Sequence, residues 1–142
     1  MGFGFAETMS GTWTRDGVEQ PFSFTVTVRS GPLLRYLLRQ RARMEGTVDA
    51  GGLAGGRALR GTLLMRPFLG RCIRYEFEFA GDDGRTYRFA GQKDIRWTEP
   101  LRTWTELPGE ILDEAGRVVG RARTRFDLRR DGVRFLRSWL PA

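Results

Sequence analysis

Apolar and polar residues alternate with a period of two along most of this chain, and the alternation breaks at recurrent turn signals. A side chain that points inward at every second residue marks a β-strand with one buried and one wet face, and a turn between two such runs pairs them as a hairpin. The clearest case puts Ile73, Tyr75, Phe77 and Phe79 opposite Arg74, Glu76 and Glu78. Gly81-Asp82-Asp83-Gly84 then turns the chain into Tyr87, Phe89 and Gly91, opposite Arg88, Ala90 and Gln92. Cross-strand pairing of Glu76 or Glu78 with Arg85 or Arg88 suits the wet face of this hairpin.

The same pattern recurs on both sides. Phe3, Phe5, Met9, Gly11 and Trp13 share one face of a first strand, and after Arg15-Asp16-Gly17 a return strand carries Phe22, Phe24, Val26 and Val28. Met44, Gly46 and Val48 form a third strand. The glycine-rich stretch Gly51–Gly56 reverses the chain into Leu59, Gly61, Leu63 and Met65. This stretch has neither the spacing nor the Lys-Ser/Thr of a phosphate-binding loop, and no helix follows it, so it reads as a flexible turn. Residues 95–116 are less regular: Pro100 and Pro108 limit strand to pieces such as Thr103–Leu107 and Glu110–Leu112. The last strand sets Val118, Gly120, Ala122, Thr124, Phe126 and Leu128 against Arg121, Arg123, Arg125 and Asp127.

Two breaks carry helical spacing. Ser30-Gly31-Pro32 precedes Leu33, Leu34, Leu37 and Leu38, and Asp131-Gly132 precedes Val133, Leu136, Trp139 and Leu140. The order strand, break, short helix thus occurs at Thr25–Leu38 and again at Arg125–Trp139. The expected fold is all-β, a single domain over residues 1–142: an antiparallel, hairpin-built barrel of about eight strands, lipocalin/calycin-like, with two short helices. A chain of 142 residues with ten Phe, four Trp and three Tyr can fill one such core and has no length for a second domain.

The chain has no histidine, which removes Ser-His-Asp and Cys-His nucleophile pairs and His-ligated zinc. Its one cysteine, Cys72, can form neither an internal disulfide nor a thiolate cluster, so no metal or cofactor is expected. The first residues carry no basic, apolar leader and no stretch approaches the roughly 20 apolar residues of a spanning helix, which gives the expectation of a cytoplasmic protein. The net charge of +7 is unevenly spread, with basic blocks at 29–74 and 117–142 flanking an acidic one. The arginine row Arg121, Arg123 and Arg125 has no interleaved aromatics on which bases could stack. That argues against nucleic acid and leaves acidic lipid head groups, an acidic protein partner or another anion as its counterpart.

Several clusters resemble a β-rich module associated with bacterial glucose–methanol–choline oxidoreductases of the cholesterol-oxidase type: Phe5-x-Glu7-x-Met9-x-Gly11, Glu45-Gly46-Thr47-Val48, Tyr75-x-Phe77-x-Phe79 with Asp83-Gly84-x-x-Tyr87 and Gly91-x-Lys93, and Phe135-Leu136-x-Ser138. The dinucleotide-binding G-x-G-x-x-G unit of those flavin enzymes is missing. The resemblance therefore implies an accessory module near lipid or steroid-like substrates, without the oxidation itself.

Lys93 is the single lysine among 23 arginines, and a lysine can lower its pKa on burial or form a Schiff base, roles closed to arginine. Glu7 is a carboxylate on an otherwise apolar strand face and needs a partner, for which Arg60 and Arg74 are candidates. Tyr75, Phe77, Tyr87, Phe89 and Trp104 are the residues expected to line an apolar pocket. Taken together, these features read as a non-catalytic barrel that binds a small hydrophobic molecule, a protein partner or a second copy of itself. The alternatives are a cofactor-free isomerase or cyclase using Lys93, Tyr75, Tyr87 or Glu7, and a binder of acidic surfaces through its arginines.

Overall fold

The computed structural model describes residues 3–30, 41–66, 72–94 and 106–126. Eight strands follow in chain order: β1 (Phe3–Arg15), β2 (Val18–Ser30), β3 (Arg41–Ala50), β4 (Ala54–Arg66), β5 (Cys72–Ala80), β6 (Thr86–Asp94), β7 (Glu106–Leu112) and β8 (Val118–Arg125). Each pairs antiparallel with the next, and β8 returns to pair with β1, closing the barrel. Closure leaves no unpaired edge among the described strands, which removes their hazard of edge-to-edge association. The stretches read as helices, 33–38 and 133–140, lie outside the described residues, as do Trp104 and Thr103.

One end of the barrel is built from tight reversals. Between β1 and β2, Arg15 pairs with Val18 across Asp16 (φ 50°) and Gly17 (φ 77°), the two-residue turn with both φ positive that matches strand twist. The β3–β4 reversal takes only residues 51–53, and Gly55 and Gly56 already belong to β4. Asp82, in the β5–β6 turn, ties these reversals together: its backbone N–H donates to Leu53 O (2.8 Å) and its carboxylate accepts from Arg57 Nε (2.9 Å). Trp13 Nε1 donates to Gly51 O across the same end at 3.1 Å. The opposite end is where β2, β4 and β6 finish.

The inward faces fill the lumen. Phe22, Phe24, Phe77 and Phe89 form one aromatic cluster, with ring centroids 4.9 Å apart for Phe77–Phe89 and 5.1 Å for Phe24–Phe77. Each such contact adds about 0.5–1.5 kcal/mol beyond its buried area. Glycine has a steric role at Gly46, on an inward-facing position of β3, where a Cβ would collide with Thr25 O of β2. The absence of a side chain lets the two strands close tightly as the sheet coils.

Two sequence expectations are corrected. β7 is one continuous strand through Pro108, paired with β8 along its length. The proline is tolerated because the ladder to β6 ends at Gly91–Gly109, one residue short of it. Val118 is exposed instead of sharing the face of Ala122 and Thr124, because a register irregularity between Ile111 and Leu112 resets the alternation there.

Candidate functional site

Among the described residues, three polar side chains besides the tyrosines are buried inside this apolar barrel: Glu7, Lys93 and Thr124, at 7%, 3% and 1% exposure. Thr124 is a structural case, its hydroxyl donating to Leu107 O at 3.3 Å. The other two belong together. Alternation along β1 turns Glu7 inward with Met9 and Trp13, and alternation along β5 turns Tyr75 inward with Phe77 and Phe79. In a closed ring of eight strands β1 and β5 are four apart, so their inward side chains meet across the full lumen. Tyr75 spans it, its hydroxyl donating to Glu7 Oε1.

Lys93 reaches the same place from β6. Gly91 is the register partner of Tyr75 and Lys93 that of Ile73, so the lysine sits one inward position nearer the end where β6 finishes. Its Nζ lies over the Tyr75 ring, 5.2 Å from the centroid, within cation–π range. Among the described residues no hydrogen-bond acceptor or ion-pair partner contacts this amine. Beneath the group, the Tyr75 ring packs edge-on against Phe24 at 6.0 Å, the top of the aromatic cluster. The Tyr75–Glu7 rung therefore separates a packed lower lumen from the end of the barrel at which the lysine stands.

Burial governs the electrostatics. Desolvation pulls the Lys93 pKa down because the charged ammonium loses its hydration, and the Glu7 charge opposes that fall. Tyr75 is pushed well above the usual phenol range, first by burial and then by the charge and hydrogen bond of Glu7, so its proton stays in place as the donor to the carboxylate. The result is an amine whose charged form is penalised by burial, beside a phenol held as the hydrogen-bond donor to a carboxylate.

The expected partners of Glu7 are replaced. Arg60 and Arg74 point to solvent, as the outward members of their strands, and Arg74 pairs along its own strand with Glu76 at 3.5 Å. Tyr87 does not join Tyr75. It lies at the tight-turn end, where its hydroxyl donates to Asp83 Oδ2 at 2.6 Å. Phe77 and Phe89 are core residues beneath the rung, the Phe89 ring also covering the backbone of Gly91 and Gly109. The sequence reading missed the Tyr75–Glu7 pairing. Strand parity together with a count of eight strands could have found it, because those two facts make β1 and β5 face each other.

On the outside, Arg121, Arg123 and Arg125 form an exposed ladder on β8, but Glu110 and Glu106 of β7 stand opposite the first and last. A shallow, open depression nearby is lined by Thr12, Gln92, Asp94, Glu110, Arg121 and Arg123 and carries both signs of charge. No protein-family model matches the chain, and no curated protein or solved structure is significantly similar to it.

Proposed function

We propose that this protein is a lipocalin/calycin-like binding barrel that takes a predominantly apolar small molecule, lipid or steroid-like, at the Lys93 end of the barrel and anchors its polar head on Lys93, with Tyr75 and Glu7 behind it. One observation carries the reading: a buried amine without a hydrogen-bond acceptor among the described residues. Leaving such a group unsatisfied costs stability, and proteins retain that kind of cost mainly where a ligand or a reaction uses the group. The ring of apolar side chains at this level, including Met44, Leu63, Ile73 and Leu107, suits the body of a hydrophobic ligand. The packed phenylalanines below favour a ligand held above the rung over one enclosed deep in the lumen. The resemblance to modules of lipid-oxidising systems is consistent with such a ligand and with an accessory role.

A second reading is favoured by the convergence itself. Lys93 stands over the ring of Tyr75, whose hydroxyl donates to Glu7, so an amine, a phenol and a carboxylate share one cluster, the set of groups a cofactor-free isomerase or cyclase would use. Native mass spectrometry of freshly purified protein, followed by challenge with medium-chain and sterol-like alcohols, acids and carbonyl compounds, tests the binding reading. A retained or added ligand that Lys93→Met weakens supports it. Wild-type protein that binds none of the panel, or a variant that binds equally well, rejects it.

A further inference from the structure

We infer that Lys93 forms a reversible imine with an apolar aldehyde or ketone, the Tyr75–Glu7 couple carrying the protons. The inference rests on the binding reading above and names the ligand's polar head as a carbonyl group. Three features of the site favour a carbonyl over a carboxylate or an alcohol. A carboxylate head would be drawn into a buried site that already contains the Glu7 carboxylate, and two like charges in a poorly solvated space repel strongly. An alcohol would satisfy the amine but would use neither its nucleophilicity nor the adjoining proton couple. A carbonyl uses both: the nitrogen lone pair faces an electrophilic carbon, and a phenol proton lies within the same cluster to meet the developing oxyanion.

The step balances without an oxidant or reductant. The neutral Lys93 amine adds to the carbonyl carbon, forming the C–N bond as the C=O π pair moves to oxygen, which takes a proton from the Tyr75 hydroxyl. The nitrogen of the resulting carbinolamine gives up a proton that restores the tyrosine by way of Glu7. A second proton then passes from nitrogen to the hydroxyl, which leaves as water while the nitrogen lone pair closes the C=N bond. Carbonyl compound and amine become imine and water, and hydrolysis reverses the sequence.

The chain has one lysine, so the adduct has one side-chain address. Full-length protein is incubated at neutral pH with cinnamaldehyde and sodium cyanoborohydride, and the reduced adduct is located by intact mass and peptide mapping. Reaction at the chain's α-amino group serves as an internal control. Trapping at Lys93 is expected to exceed that of Nα-acetyl-lysine amide by on the order of tenfold or more, because a bound aldehyde is held beside an amine whose charged form burial disfavours. Lys93→Arg abolishes the side-chain adduct and leaves the α-amino adduct. Tyr75→Phe, shown to be folded by circular dichroism, slows trapping about a hundredfold, the lower end of the range for a lost proton-transfer group. Trapping at Lys93 no faster than in the free amide overturns the inference. If cinnamyl alcohol still binds wild-type protein and Lys93→Met weakens that binding, only the imine step has failed. If neither compound engages the protein, the binding reading falls with it.

Discussion

Replacing Lys93 with methionine should make the barrel more stable. Methionine has nearly the same length and flexibility, so it can follow the lysine's path over the Tyr75 ring without opening a cavity. The substitution removes the cost of keeping an amine away from water, for which protein data give about 1–3 kcal/mol. It forfeits the cation–π contact, worth about 0.5–1 kcal/mol, and part of the attraction to Glu7, which keeps its hydrogen bond from Tyr75. The expected net gain is about 1–2 kcal/mol at neutral pH. Urea unfolding followed by tryptophan fluorescence, to which the buried Trp13 contributes, reads this as a rise in midpoint of about 0.5–1 M at unchanged slope, for a slope near 2 kcal/mol/M. The gain also depends on pH in a set direction. Because the folded state depresses the Lys93 pKa, the unfolded chain binds more protons between that value and the ordinary lysine range, and wild-type stability from this group rises with pH across that window. The methionine variant lacks the term, so the gap is widest at neutral and lower pH and narrows as pH approaches the ordinary lysine value. A variant less stable than wild type by 1 kcal/mol or more would show the lysine to be a structural strut and would refute the reasoning.

Tyr75→Phe should cost about 1–3 kcal/mol, since it strands the buried Glu7 carboxylate, and adding Glu7→Gln should recover part of that loss in a double-mutant cycle of urea melts. Gly46→Ala should cost more, about 3–4 kcal/mol, because its Cβ has nowhere to go but into the β2 backbone; a thermal melt within a degree or two of wild type would count against the tight strand approach. The raised Tyr75 pKa supplies stability that is fully present below the ordinary phenol value and is lost as pH rises beyond it, so the alkaline limb of the wild-type stability profile should fall more steeply than that of Tyr75→Phe. Asp82→Ala at the exposed turn tie should cost less than about 1 kcal/mol, as surface pairs do.

The strands and their turns were legible because alternation is a local signal, and the barrel was legible because that signal recurs enough times to close a ring. What alternation cannot report is height along the barrel axis. Tyr75 and Tyr87 share an inward parity and looked like two walls of one pocket, yet following the ladder from Glu7 through Val26, Gly46, Leu59 and Phe79 leads to Tyr87 at the far end. Strand tilt converts equal parity into different depth. The same limit hid the partner of Glu7: arginines on neighbouring strands were the obvious candidates, but their parity turned them outward, and the true partner came from the strand directly opposite. Lys93 stood out from composition alone, as a lone lysine among arginines, although its burial needed the inward parity of β6. Pro108 and Val118 were misread for a different reason, since where a ladder ends and where a bulge falls are properties of the paired strands and not of either one.

The central claim is that Lys93 is a desolvated amine, without a hydrogen-bond acceptor among the described residues, placed to meet a ligand. Protein labelled with ¹³Cε-lysine carries a single such resonance, so its titration can be followed without assignment. The account expects a midpoint clearly below the ordinary lysine value of about 10.4 and a resonance that shifts when an apolar carbonyl compound is added. A resonance that titrates as ordinary lysine and ignores every apolar ligand would contradict it.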